Sequence, residues 1–147
     1  MPVAIDRDKT WDYVLEEDRL VPDPEKPGET TKNPKPTVFT LGALTLRDRQ
    51  MIKDKSITFD QEAKHGTLYQ GTTELTILRL GLRGCRDFFD ADGNEIAFET
   101  EPNAKGKGAS RTQVTDRFLE RLSDKHLAEI AGEIQLRNSL TEDEAKN

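Results

Sequence analysis

"TWDYVL", Thr10–Leu15, sets Trp11, Tyr13 and Leu15 on one side of an extended chain and Asp12 and Val14 on the other. That alternation is the period of a half-buried strand, and the residue types favour it. A second run of β formers, "TVFTLGAL", Thr37–Leu44, follows after a long interruption. The two are expected to pair antiparallel. Between them lies "VPDPEKPGETTKNPK", in which Pro22, Pro24, Pro27 and Pro34, with Pro36 just beyond, deny helix and remove backbone donors. Its Asp, Glu and Lys residues keep it in water, so residues 21–36 read as an extended arm. A connection of this length in a compact domain is generally functional or disordered.

Beyond residue 44 the periodicity changes. Thr45 offers an N-cap, with Asp48 three residues on, for a short helix "LRDRQMIKD" carrying Leu46, Met51 and Ile52. Residues 55–71 read as a loop with a short strand at Ser56–Phe59. Thr72 or Thr73 then caps a second helix, in which Leu75, Leu78, Leu82 and Cys85 keep helical spacing and Gly81 and Gly84 weaken the end. Residues 100–113 form a polar, Gly-rich connection. Val114, Phe118 and Leu122 mark a third helix, and Ser123 caps a fourth, "DKHLAEIAGEIQLRN", whose Leu127, Ile130, Ala131 and Ile134 form a clear apolar face. Thr141 with Glu144 offers a last capping box. The expected fold class is α+β: a small antiparallel sheet or hairpins packed against two or three helices, with an extended Pro-rich N-terminal arm. Residues 1–44 form the β-rich region and 45–147 the helical and hairpin core.

"CRDFFDADGNEIAFE", Cys85–Glu99, raises the question of calcium. If Gly93 is the invariant sixth residue of an EF-hand loop, Asp90, Asp92 and Glu99 fall on ligand positions, but the opening position is Phe88. A phenyl ring cannot coordinate the ion. The bland reading is a hairpin turn in which Asp92-Gly93, beside Asn94, supplies the positive-φ residues between Phe88-Phe89 and Ile96-Ala97-Phe98.

Bulk composition narrows the function. Charged residues make up 34% of the 147, above the usual quarter, so much of the chain must lie on a surface. A net charge of −6 argues against a protein that coats nucleic acid, which needs a basic face. One cysteine excludes an internal disulfide, and with two histidines it cannot complete an ordinary structural zinc site. No run reaches signal-peptide or membrane-span length, and a soluble, cytoplasmic protein is expected.

Single candidates for chemistry each have a plainer reading. His65, in "KHGT", has no nucleophile at a motif spacing and reads as a loop histidine. His126 edges the last helix. Cys85, near Arg83 and Arg86, has the surroundings of a thiolate but a place on an apolar stripe, which favours a small buried residue. "AKGKGAS", Ala104–Ser110, fails as a phosphate loop because Ala109 follows Gly108. Its Lys105 and Lys107, with Arg111, suit contact with an acidic partner. Nothing assembles a nucleophile, a base and an oxyanion site, so no catalytic, cofactor-binding or metal-ligating residues are assigned.

Several short motifs occur together in order. A β-rich N-terminus, a helix-opening Leu-x-x-Arg segment, Gly84-x-x-Asp87-Phe88 leading into Asp90-x-Asp92-Gly93 and Phe98, an amphipathic helix and a terminal "LTEDEAKN" make up the series. Over roughly the C-terminal two thirds, the chain resembles small tail-assembly-chaperone-like and related morphogenesis proteins of tailed bacteriophages. The resemblance implies a non-enzymatic role in building or holding a virion at capsid, neck or tail. Its partners would be other phage structural proteins and copies of itself, met in the host cytoplasm during assembly and kept in the particle. The alternative is a transient chaperone that recruits the tape-measure or tail-tube protein. The expected contact residues are Trp11 and Tyr13, the arm with Pro22, Pro24, Pro27, Pro34 and Pro36, the basic loop of Lys105, Lys107 and Arg111, and the C-terminal tail.

Overall fold

The computed structural model describes residues 8–61, 66–102 and 112–146, with side chains described outside 54–72 and 139–146. In chain order the elements are β1 (Thr10–Tyr13), a 3-10 turn (Glu16–Asp18), β2 (Leu20–Pro22), β3 (Thr30–Lys32), β4 (Val38–Gly42), α1 (Leu46–Gln61), α2 (Gly66–Gly81), β5 (Leu82–Arg86), β6 (Thr100–Pro102), β7 (Thr112–Val114), α3 (Asp116–Leu119) and α4 (Asp124–Lys146). Small antiparallel sheets packed against helices make this an α+β fold.

The two β runs pair as expected. β1 lies antiparallel to β4 from Thr10↔Gly42 to Tyr13↔Phe39, and β4 is the middle strand of an order β1-β4-β5. Cross-strand partners share a face. Tyr13, Phe39 and Leu41 therefore form an inner face, and all three are buried. They join Leu78, Leu82, Phe118, Ile130 and Ile134 in one core, so residues on both sides of position 44 supply it.

Five parts of the chain depart from the expectation. Residues 21–36 do not lie extended: β2 pairs antiparallel with β3 from Leu20↔Lys32 to Pro22↔Thr30. The sequence contains its own reason. Pro27-Gly28 occupies the centre of a turn in which Glu29 N–H donates to the Lys26 carbonyl at 3.1 Å, and Gly28 has φ +86°, as a type II turn requires. The ladder bonds run Asn33 to Arg19 and Asp23 to Glu29, so the odd-numbered residues of β2 face β3. Pro22, lacking an N–H, sits where none is needed. The hairpin is stapled at its base by Asp18, whose carboxylate accepts from Asn33 Nδ2 at 3.0 Å and from Thr37 N–H at 2.7 Å.

Helix α1 starts where predicted. Thr45 Oγ1 accepts from Asp48 N–H at 3.1 Å while the Asp48 carboxylate accepts from Thr45 N–H at 3.0 Å, a reciprocal capping box. It then runs to Gln61, through the stretch expected as loop and strand, because among the described residues Ser56–Phe59 has no neighbouring strand while a helix satisfies its own backbone. The second helix stops at Gly81, and Cys85 belongs to β5 instead. A Cβ at Gly81 would stand 2.5 Å from Ile134 Cγ2, so the glycine allows α2 to close on α4 before the chain turns into a strand that pairs with the free side of β4.

The connection expected over residues 100–113 contains the paired strands β6 and β7, with Pro102 again at a position turned away from the ladder. α4, capped by Ser123 Oγ accepting from His126 N–H at 3.2 Å, runs unbroken to Lys146, and Thr141 starts no separate turn. No helix among the described residues is long and apolar enough to cross a membrane.

Candidate interaction surface

The outer face of the three-stranded sheet carries the residues that alternate with the core: Asp12 and Val14 on β1 and beyond it, Val38 and Thr40 on β4, Arg86 on β5. Over part of this face the chain leaving the proline hairpin folds back. The result is a cleft of about 750 Å³ walled by Lys32, Asn33, Pro34, Lys35, Pro36 and Asp87 and floored by Asp12, Val14, Val38 and Arg86. Asp87 turns its wall with φ +58°, unusual for a non-glycine residue, and its carbonyl accepts from Thr37 Oγ1 at 2.9 Å. Arg86 crosses to Asp12 at 3.4 Å, an exposed pair worth at most about 1 kcal/mol.

The cations near β1 and the hairpin are placed over rings. Lys9 Nζ stands 5.8 Å from the Trp11 ring centre, Arg19 Cζ 5.4 Å from that of Tyr13, and Lys35 Nζ 5.0 Å from that of Phe89. The neighbouring carboxylates are already engaged. Asp12 holds Arg86, Asp18 holds the hairpin base, and Glu17 meets both Lys125 and His126 Nε2. The hydrogen bond with His126, then its charge, holds the Glu17 carboxyl below the usual range, with Lys125 adding to the effect.

Of the expected contact residues, Tyr13 is corrected. Its ring is buried and its hydroxyl donates to Glu129 Oε2 at 2.7 Å, an oxygen that also accepts from Glu16 N–H at 2.9 Å. Burial, then that carboxylate, raises the phenol further above its ordinary value. Tyr13 thus fastens β1 to α4, with the Arg19 guanidinium over its ring. Trp11 is half-buried against the core. Pro22, Pro24, Pro27 and Pro34 are exposed, and Pro36 is half-buried in the cleft wall. Lys105, Lys107 and Arg111 lie outside the described residues, as does His65.

The remaining candidates take quiet roles. Cys85 is half-buried opposite Phe39, and burial, reinforced by Asp87 and Glu95, pushes its thiol up to about 12, the reverse of a reactive thiolate. Asp90 Oδ1 accepts from the N–H groups of Asp92 and Asn94, both at 2.9 Å, and Gly93 alone of the turn has positive φ. This Asx turn accounts for the Asp-rich motif. No cluster of three metal-ligating side chains occurs among the described residues. The turn places Phe88 and Phe98 edge-on to Phe118, at centroid distances of 5.9 and 5.0 Å.

The sequence reading missed Lys32, Lys35, Val38, Arg86 and Asp87 as one site. The signal that would have found the floor is the alternation of "TWDYVL": its wetter side, Asp12 and Val14, had to face something. No protein-family model, curated protein or solved structure matches this chain.

Proposed function

We propose that this protein works by binding, as a non-enzymatic structural component of a tailed bacteriophage particle that holds neighbouring subunits at capsid, neck or tail. The binding part of this reading is carried by one observation: a proline hairpin whose base is fixed by Asp18 while Pro22, Pro24 and Pro27 stay exposed with Leu20, itself 57% exposed. A fixed backbone presenting apolar, rotamer-poor side chains loses little entropy when a partner covers it. The phage part is supported by the resemblance of the Gly84-to-Phe98 motifs and the terminal "LTEDEAKN" to morphogenesis proteins.

Mass spectrometry of purified particles and of the lysate they came from tests the reading. The protein is expected in the particles at a fixed stoichiometry to other structural subunits. Abundance in lysate with absence from mature particles would instead assign it to transient assembly chaperoning.

A further inference from the structure

Among the described residues β1 is an edge strand, with one side unpaired. Ala43 N–H donates to the Lys9 carbonyl at 3.2 Å, in register with the Thr10↔Gly42 pairing, so the odd-numbered residues Lys9, Trp11 and Tyr13 face β4. In an antiparallel ladder the residues between them point their N–H and C=O groups the other way. Thr10 and Asp12 therefore present their backbone groups outward, without a backbone partner among the described residues. The same rule sends out the Val14 carbonyl, which Arg19 Nε takes at 3.1 Å and so closes that end of the edge. The open part is the stretch Thr10–Asp12.

The charges around this stretch are unequal in their commitments. Lys9, Lys32 and Lys35 have no carboxylate partner among the described residues, although the chain as a whole carries −6. The carboxylates beside them, Asp12 and Asp18, are engaged as described above, and Asp87 is the acidic group left in the far wall of the cleft. Lys9 lies beyond one end of the open edge, and Lys32 and Lys35 line the same cleft as Asp12 and Val14. We infer that the Thr10–Asp12 edge accepts an extended, acidic segment of a protein partner as an added antiparallel or parallel strand. The backbone of that segment bonds Thr10 and Asp12, and its carboxylates meet Lys9, Lys32 and Lys35. Main-chain bonds hold such a strand, and the side chains that alternate along it select which strand is held. Lysines beside an edge have a rival role, to keep strands away from it. The two roles make opposite predictions for an acidic strand.

A strand-accepting edge presupposes that the protein works by binding, as proposed above, but not that it belongs to a particle. The isolated full chain is titrated with a fluorescent heptapeptide, Thr-Glu-Val-Glu-Val-Glu-Thr, and with its counterpart bearing lysine for glutamate, and anisotropy is read. Amide exchange by NMR accompanies both titrations. The acidic peptide is expected to bind and to slow exchange at Thr10 and Asp12, leaving Trp11 and Tyr13, already bonded to β4, unchanged. Lys32→Glu with Lys35→Glu should weaken binding about tenfold or more, since two exposed charge contacts are lost and reversed. Asp12→Pro removes an outward N–H that an edge strand can spare, so it should abolish binding while Asp12→Ala retains it. Equal binding of both peptides, no binding of the acidic one, or protection elsewhere than Thr10 and Asp12 overturns the inference. The exchange pattern on the unaltered chain decides even if the proline variant fails to fold. Detection in particles without peptide capture would sink the edge and spare the particle assignment.

Discussion

Asn138 shows how much one polar side chain can hold together. It is buried on α4, where its Oδ1 accepts from Leu44 N–H at 2.9 Å and its Nδ2 donates to the Ile134 carbonyl at 2.8 Å. Leu44 lies just after β4, too far along to be paired by β1 and just ahead of the first turn of α1, so its N–H has no strand or helix partner of its own. An orphaned buried donor costs about 1–3 kcal/mol. Asn138→Ala is accordingly expected to lower the free energy of unfolding in urea by about that amount, plus a small cavity term. Gln135→Ala, an exposed change on the same helix, sets the baseline, and equal midpoints for the two would remove the role assigned to Asn138. This contact was not legible beforehand, since it joins residues ninety-four positions apart and neither carries a local signal. The residue-scale features that could be read were local ones. Thr45 with Asp48, Ser123 before α4 and the glycine of the Asp90 turn all act within five positions of themselves, where backbone geometry alone fixes the choice.

At the scale of elements, glycine and proline misled in one direction and informed in another. Five prolines suggested an extended arm because proline excludes helix. What the composition did not express was parity: Pro22 falls where the ladder asks for no donor, and Pro27 falls before a glycine at the head of a turn. Gly81 weakens the helix and is its last residue, ahead of the expected end near Cys85, but its stronger role is contact. Ile134 is fully buried, and its Cγ2 would stand 2.5 Å from a methyl placed on Gly81. A side chain that tightly packed cannot retreat freely, so Gly81→Ala should destabilise by about 1–3 kcal/mol despite the better helix propensity of alanine. The penalty should largely vanish in an Ile134→Ala background, because the atom that clashes is gone. Thermal or urea unfolding of the four proteins of this cycle measures the coupling; additive effects would mean that α2 and α4 do not meet at this point.

For the whole molecule, the decisive feature is that its ends share one core. The sequence suggested a boundary at residue 44, where the period changes from strand to helix, and that change is real in the secondary structure. Packing ignores it. β4 is the middle strand of the sheet, Phe39 touches Phe88 at a ring distance of 6.4 Å, and Tyr13 reaches Glu129 across most of the chain. Patterning reports which face of an element is apolar but not which distant element will cover it, so the boundary was a statement about local structure only. Residues 45–147 expressed alone would lose Tyr13, Leu15, Phe39, Leu41 and Leu44 from the core and leave β5 without its partner. At about 1.5–3 kcal/mol for each of these five buried side chains the loss is roughly 7–15 kcal/mol, as large as the entire stability of an ordinary domain. The fragment should therefore show no cooperative thermal transition by circular dichroism and collapsed amide dispersion by NMR, whereas the full chain melts as one unit. A fragment that unfolds cooperatively with a midpoint near that of the full chain would show that the helices sustain a core of their own, and that the sheet carrying the cleft is an addition to it.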